Sequence, residues 1–307
     1  MPGKRKPPED DRRRSDYGSF KITPKDRKGL PFVAQQRFVR YDTLGEWLAP
    51  GYEPATFEPR RSEKKGTGRG GRRTGLPWPR DYYKRLAAVT RIVDRHWVLM
   101  GLAESVQPFS DQPRWARLTE AGLRTLGLPW SEAEFPEDFT LYWHDEEKYS
   151  HMHCINEVRI WLASGGSNAP RHTWLSERAV EAEHPFKQAG TRLSHLPDGV
   201  LELLEDGGWD IKDTSDQVLA HIHMPKGSRT AIEVELNQKT YRRLSKEIFP
   251  SLLREYDFVW YFCEEDARKA VYKARADYLK SDAERQRIRI MPLPPTCKPL
   301  DKTSPKE

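Results

Sequence analysis

Apolar positions along the chain recur with two different periods, and the change of period divides it. Phe32, Val33, Phe38, Val39, Leu44, Trp47 and Leu48 supply enough apolar side chains for one or two short helices. Asp42 or Thr43 is placed to cap the second, Thr43–Ala49, and Pro50-Gly51 stops it. Arg80–Gly101 is a stronger helix, because Tyr83, Leu86, Val89, Val93 and Trp97 form one stripe. After Gly101 the pattern becomes that of strands: Leu102–Val106, a turn over Pro108–Pro113, and a return strand Trp115–Thr119. Thr119 then caps a helix over Glu120–Leu126. Helix, helix, helix, hairpin, helix is the order of a winged helix-turn-helix domain.

A second unit begins near Ser150. His151–Ser164 carries Ile155, Val158, Trp161 and Leu162 at helical spacing and ends at Gly165-Gly166. Strands are predicted over Thr173–Ala182 (containing Glu177), Pro197–Leu204, Thr230–Leu236, Asp257–Cys263 and Arg287–Leu293. A further short strand is predicted over Val218–His223. Helices are expected over Thr240–Glu255 and Glu265–Leu279. The order αβββαβ, then αβ, describes a mixed sheet flanked by helices, an α+β or α/β class. The expected layout is a basic unstructured arm 1–29, a DNA-binding domain 30–128, a connector 129–149 with a short strand at Phe139–Trp143, the sheet domain 150–293, and a tail 294–307.

Charge sharpens the first half. Residues 1–80 hold 20 Lys and Arg against 10 Asp and Glu, a surplus of 10 where the whole chain has +6, so the remainder carries −4. A basic excess confined to one end suits contact with a polyanion. The segment 50–79 interleaves Arg60, Arg61, Lys64, Lys65, Arg69, Arg72 and Arg73 with glycines, a composition that builds no core and suits a phosphate backbone. Lys84, Arg91 and Arg95 lie on a face of the long helix away from its apolar stripe and are the candidate groove contacts. A solvated face and a plain linker are the competing readings. Cys154, Cys263 and Cys297 form neither a CxxC pair nor a disulfide framework, which points to a reducing cytoplasm. Basic residues at the start are followed by no apolar signal region, and no stretch approaches about 18 consecutive apolar residues, so no membrane partner is expected.

The candidate chemistry lies between His195 and Lys239. Asp198 follows Pro197 at the start of one strand. Glu233 and Glu235 stand two residues apart on another and therefore share a face. Three acids at the ends of paired strands make a hard-oxygen site suited to Mg²⁺, the arrangement that metal-dependent phosphodiester hydrolysis needs. Lys239 follows. His195 sits close by, read as a structural or surface histidine in preference to an auxiliary base. His151 and Cys154 stand three apart on a helix, and His221 and His223 alternate on a strand, but no second ligand pair follows, so zinc is not expected.

Pro-Asp on one strand and Glu-x-Glu on the next, in this order of elements, resemble the PD-(D/E)XK nuclease superfamily. The resemblance implies that Asp198, Glu233 and the Val234 carbonyl hold Mg²⁺ or Mn²⁺, with Glu177 completing the acids. It makes Asp198, Glu233, Glu235 and Lys239 the catalytic set. Glu235 stands where the pattern has lysine, and Lys239 is the candidate replacement. Four further matches resemble the replication-relaxation family of actinobacterial plasmids and mobile elements. They are Arg85-Leu86 to Gly101-Leu102 with Leu118-Thr119-Glu120-Ala121-Gly122; His153, Asn156 and Arg159; Trp174-Leu175-Ser176-Glu177; and Pro197-Asp198-Gly199 with Glu233-Val234-Glu235-Leu236 and Lys239. That family joins a winged helix to a nuclease-like domain. The resemblance implies double-stranded DNA as partner, with replication, transfer or transposition proteins and a second copy of the chain as further candidates. It leaves open whether the chain nicks or cuts DNA or is an inactive, accessory DNA-binding factor.

Overall fold

The computed structural model describes residues 22–48, 80–108, 112–127, 146–164, 170–183, 195–212, 218–294 and 296–297. The arginines and lysines expected in the loop 50–79, and the strand expected at Phe139–Trp143, lie outside them.

The first helix, α1 (Pro24–Gln36), begins inside the segment expected to be unstructured. Thr23 is its N-cap in a reciprocal capping box with Asp26, and Pro24 occupies the first turn, where its missing N–H costs nothing. Asp26 is only 1% exposed, and its second oxygen accepts from Trp97 Nε1 at 2.7 Å. A tertiary contact thus anchors a start that apolar periodicity does not mark. Strand β1 (Val39–Arg40) leads into α2 (Tyr41–Leu48). Then come α3 (Arg80–Ile92), which continues through a π turn at Val93–Trp97, and the hairpin β2 (Ala103–Val106) and β3 (Trp115–Leu118). β3 pairs antiparallel with both β1 and β2. Thr119 caps α4 (Glu120–Thr125) as expected, accepting from Gly122 N–H. A Cβ on Gly122 would lie 2.0 Å from the Leu102 carbonyl oxygen, so only glycine lets α4 pack here. Leu30, Phe32, Leu44, Val93, Trp97 and Leu118 are among the residues that fill the core of this unit.

Helix α5 (Glu146–Ser164) starts within the expected connector. Every residue from His153 to Ile160 is buried. One side, with Cys154, Ile155, Val158 and Leu162, packs on the sheet of the second unit. Ile160 joins the core of the first. Its polar residues are buried between the two. Asn156 Nδ2 donates to the Phe38 carbonyl at 2.9 Å, and Arg159 donates to Gln35 Oε1 at 2.6 Å. With its amide turned to face them correctly, Gln36 donates to Asn156 Oδ1 and accepts from Arg159 and Trp174. The guanidinium of Arg159 also lies over Phe32, Trp47 and Trp174. Thr43 Oγ1 donates to Glu157 Oε1 at 2.7 Å. Burial pushes the Glu157 carboxyl up to about 7 and holds the neighbouring His153 imidazole down at about 3.

These contacts clamp an unusual turn. Phe38 N–H donates to the Gln36 carbonyl at 2.7 Å, across Arg37, whose φ is 63 and ψ −55. That is a γ turn of the rare, strained kind. A side chain there costs on the order of 1–3 kcal/mol and persists only where its surroundings over-determine it. The α5 side chains grip Gln35, Gln36 and Phe38 on either side of it.

The second unit is a five-stranded sheet in the order β10-β9-β8-β5-β4. Its members are β4 (His172–Ser176), β5 (Gly199–Leu203), β8 (Arg229–Glu235), β9 (Phe258–Cys263) and β10 (Ile288–Pro292). The pairs β4–β5 and β5–β8 are antiparallel, whereas β8–β9 and β9–β10 are parallel. The fold is therefore α+β with mixed sheets. The predicted strand through Glu177 is corrected. β4 stops at Ser176, whose hydroxyl accepts from Ala179 N–H, and Glu177 opens helix α6 (Glu177–Glu183). A serine N-cap followed by acids overrides the strand pattern. The polar stretch after β5 holds a separate hairpin, β6 (Gly207–Lys212) and β7 (Val218–Met224), which lays Trp209, Ile222 and Met224 into the α5-side core. On the opposite face pack α7 (Tyr241–Arg243), a π turn at Leu244–Ile248, α8 (Phe249–Glu255) and α9 (Glu265–Tyr278); α10 (Asp282–Arg287) precedes β10. Cys154 and Cys297 are buried against each other's carbonyls, which ties Cys297 of the expected tail to α5. Among the described residues no helix is long and apolar enough to cross a membrane.

Thr43→Val keeps shape but removes one of the donors that reach the Glu157 carboxyl, Thr296 being another. We expect a loss of about 1–3 kcal/mol in urea unfolding at pH 8, where the carboxyl is charged. Unchanged stability would show that this contact does not hold the units together.

Candidate functional site

The site forms where β8 outruns its neighbour. β5 begins at Gly199, opposite Ile232, and β8 continues to Glu235. Beyond that point side chains take the place of the ladder. Val234 donates its N–H to Asp198 Oδ2 at 2.7 Å, and its carbonyl accepts from His151 Nε2 at 2.9 Å. The same imidazole nitrogen lies 3.4 Å from Asp198 Oδ2. Burial alone would favour neutral imidazole, but Asp198, the Val234 carbonyl and Glu235 raise His151 to about 10. Burial works in the opposite sense on Asp198, and His151, the Val234 N–H and Lys239 outweigh it, holding that carboxyl below its ordinary value. Gly199 is required beside this acid, because a Cβ there would lie 2.3 Å from the Trp174 ring.

Alternation along β8 sends Ile232 and Val234 into the core on the α5 side and turns Ala231, Glu233 and Glu235 to the opposite face. Glu233 is 1% exposed and Glu235 6%. His195 Nε2 lies 2.8 Å from Glu233 Oε2. Lys239 Nζ lies 2.7 Å from Glu235 Oε1 and 3.8 Å from Glu233 Oε2. Burial lifts Glu235 to about 7, opposed by Lys239 and reinforced by Glu233 and Asp198. Burial disfavours the charged forms of Lys239 and His195, yet the neighbouring carboxylates raise both.

Glu233 Oε1, Glu235 Oε2 and the hydroxyl of Tyr261, which faces Glu233 from β9, are buried without a hydrogen-bond partner among the described residues. Each such atom costs about 1–3 kcal/mol. Hard carboxylate oxygens left open in this way fit a divalent cation by donor type. Three basic side chains stand among the acids, and among the described residues no group of three or more His, Cys, Asp or Glu is gathered to hold a metal ion.

Asp198, Glu233, Glu235 and Lys239 are thus brought together as the sequence predicts. Glu177 sits at the rim, half-exposed, its Oε2 3.9 Å from the Arg37 guanidinium. Lys84 and Arg91 are exposed on α3, and Arg95 on the π turn that continues it. Two site residues carry no role in the sequence reading. His195 had a signal, its position just before Pro197-Asp198. His151 had none, because its partner Val234 is remote in sequence. His153, Asn156 and Arg159 face the first unit and the turn at Arg37, away from the acids.

The raised Glu235 value has a definite sign. The folded state holds this proton more tightly than the unfolded chain, whose carboxyl titrates near 4.5. Its contribution is complete below that pH and is lost as pH rises to about 7. Relative to Glu235→Gln, wild-type stability should fall across that window, by up to about 1.4 kcal/mol per unit. Parallel pH–stability curves from urea unfolding would refute the assignment.

No family model, curated protein or solved structure matches the chain.

Proposed function

We propose that the chain is a DNA-binding protein of the replication-relaxation type, in which a winged helix holds duplex DNA and a PD-(D/E)XK-like sheet nicks or cuts it with Mg²⁺ or Mn²⁺. One observation carries the reading: Asp198, Glu233, Glu235 and Lys239 converge at the open end of β8. The αβββαβ order of α5, β4, β5, β8, the α7–α8 segment and β9, with β8 and β9 parallel, supports it. So does β1 closing on the β2–β3 hairpin beside α3, whose exposed Lys84 and Arg91, with Arg95 on the π turn that continues it, are the groove-facing candidates.

Asp198, Glu233 and the Val234 carbonyl would hold the ion, with Glu177 completing the acids. When bound, a divalent cation polarises the scissile phosphate and lowers the pKa of a water. The protein's own groups do the rest. Lys239 pairs with both β8 carboxylates and is the candidate replacement for the missing lysine, which would orient the attacking water. His195 shares a proton with Glu233 Oε2, which leaves Oε1 open. His151 holds Asp198 and the Val234 carbonyl in place. Hydrolysis forms a P–O bond to the water oxygen, breaks the bond to the leaving sugar oxygen and delivers a proton to that oxygen.

A second reading has its own support. His151, His195 and Lys239 each pair with one of the acids, an arrangement that suits an inactive platform for DNA.

Supercoiled plasmid incubated with the protein and Mg²⁺ or Mn²⁺ separates the two. Wild type should yield nicked or linear product, with chelation abolishing it and Asp198→Ala lowering it about 100-fold or more. No product from either protein removes the nuclease and leaves the platform. In both readings Arg91→Ala with Arg95→Ala weakens duplex binding and flattens its salt dependence, by about 0.9 in log–log slope for each phosphate the variant no longer neutralises. Salt-insensitive binding would refute both.

A further inference from the structure

The cations around β10, the strand at the end of the five-stranded sheet, fall into two groups. Some are spent on the fold. Arg287 donates to the carbonyls of Leu253, Tyr256 and Asp257 at 2.6, 2.7 and 2.9 Å, where α8 ends. Lys269 pairs with Glu265 and Asp266, and Arg285 with Asp282. The others have no such occupation. Among the described residues the guanidinium groups of Arg268 and Arg289 have no hydrogen-bond or ion-pair partner. Arg275 Nε is buried without one, although its Nη1 donates to the Ile288 carbonyl at 3.0 Å.

These free cations are gathered. Arg268, Tyr272 and Arg275 stand at i, i+4 and i+7 of α9, one stripe beside the buried Ala267, Val271 and Ala274. The Tyr272 hydroxyl lies 3.5 Å from the Ile290 carbonyl, and the Arg275 guanidinium lies 5.1 Å from the centre of the Tyr272 ring. The stripe therefore follows β10. Arg289 leaves the α9 face of β10 by alternation, yet at the end of the sheet it stays within the field of Arg275. Burial lowers the Arg275 pKa from the ordinary arginine value, Tyr272 opposes it, and the like charges of Arg289 and Arg285 lower it further. Like charges held together without carboxylates are relieved by an anion.

The stripe starts from the unit's acids. β9 ends at Cys263, opposite Glu235, and the next residue, Glu264, donates its N–H to the Glu235 carbonyl at 2.9 Å. α9 begins there and runs back against the direction of β10, Arg268 first. From Arg268 to Arg275 a helix rises about 10 Å, a length over which one DNA strand carries about three phosphates. Guanidinium suits that ligand, because its planar fork binds two phosphate oxygens at once.

We infer that Arg268 and Arg275 of α9, with Arg289 of β10, form a second nucleic-acid contact, in which the phosphate backbone of duplex DNA lies along the end strand of the sheet. The inference rests on the DNA-binding reading above and deepens it. The chain beyond residue 80 carries −4, and the expected DNA contacts lie in the first unit. This surface gives the unit that carries the acids its own hold on the duplex. Cations on an end strand also deter pairing with another chain, and in that role alone their loss leaves DNA affinity untouched.

Arg268→Gln with Arg289→Gln tests the surface, since neither guanidinium holds a hydrogen bond that the fold would lose. Thermal stability should hold. Affinity of the full chain for a labelled mixed-sequence duplex, read by fluorescence anisotropy, should fall about tenfold, and the log–log salt slope should flatten by about 0.9 for each phosphate released. Lys226→Gln with Arg254→Gln removes the same charge from exposed positions at the start of β8, away from the acids, and should leave both readings unchanged. If wild type binds no duplex, the DNA-binding reading and this inference both fall. If wild type binds and Arg268→Gln with Arg289→Gln matches it, the inference alone falls. An equal loss from the Lys226 and Arg254 pair also overturns it, because net charge then explains the effect. Should the double variant unfold, the two single exchanges decide by the same readings.

Discussion

Two carboxylates on a strand buried from both sides are the constraint on which the second unit depends. Desolvation makes an unpaired charge at Glu233 or Glu235 costly enough to neutralise the group or break the sheet. Each obtains a cationic partner from a segment flanking the strands: His195 from the approach to β5, Lys239 from the exit of β8. Asp198 meets the same demand by accepting a main-chain N–H and pairing with His151. The pairing is incomplete, because among the described residues one oxygen of each glutamate has no hydrogen-bond partner. A core built for stability alone would fill these positions with apolar side chains. The acids kept there, and the bases around them, cost stability that apolar side chains would not.

The first unit is tied to this site through α5. One helix brings His151 to the Val234 carbonyl and, further along, Asn156 and Arg159 to the turn at Arg37. Movement of the first unit against the second must therefore disturb buried hydrogen bonds, and the cationic side chain aimed at α6 moves with the helix that also touches β8.

Much of this was legible in the sequence, for local reasons. Two-residue alternation placed Glu233 and Glu235 on one face, the run Phe258–Cys263 marked a buried strand, and Thr119 read correctly as a cap. The misses share a cause. α1 starts at Pro24 because Asp26 reaches Trp97, and α6 starts at Glu177 because Ser176 turns inward as a cap. The α5 residues from His153 to Ile160 show no clean stripe, since a helix enclosed on all sides has no solvent face to write a period into the sequence. His151 carried no signal of its role, because its main-chain partner on β8 is remote in sequence. The strain at Arg37 leaves no compositional trace.

Tyr149, at the start of α5, has a consequence for descent. Its ring stands edge-on to Phe38 and Trp115 and closes a small cluster with Val106 in the first unit. A few residues on, the same helix is the floor of the sheet. A recombination event that cut between the two units would strip one of its lid or the other of its floor, and neither half would arrive in a new gene with a finished core. The two units are therefore finished only together, and a helix that serves both ties the packing of each to the other.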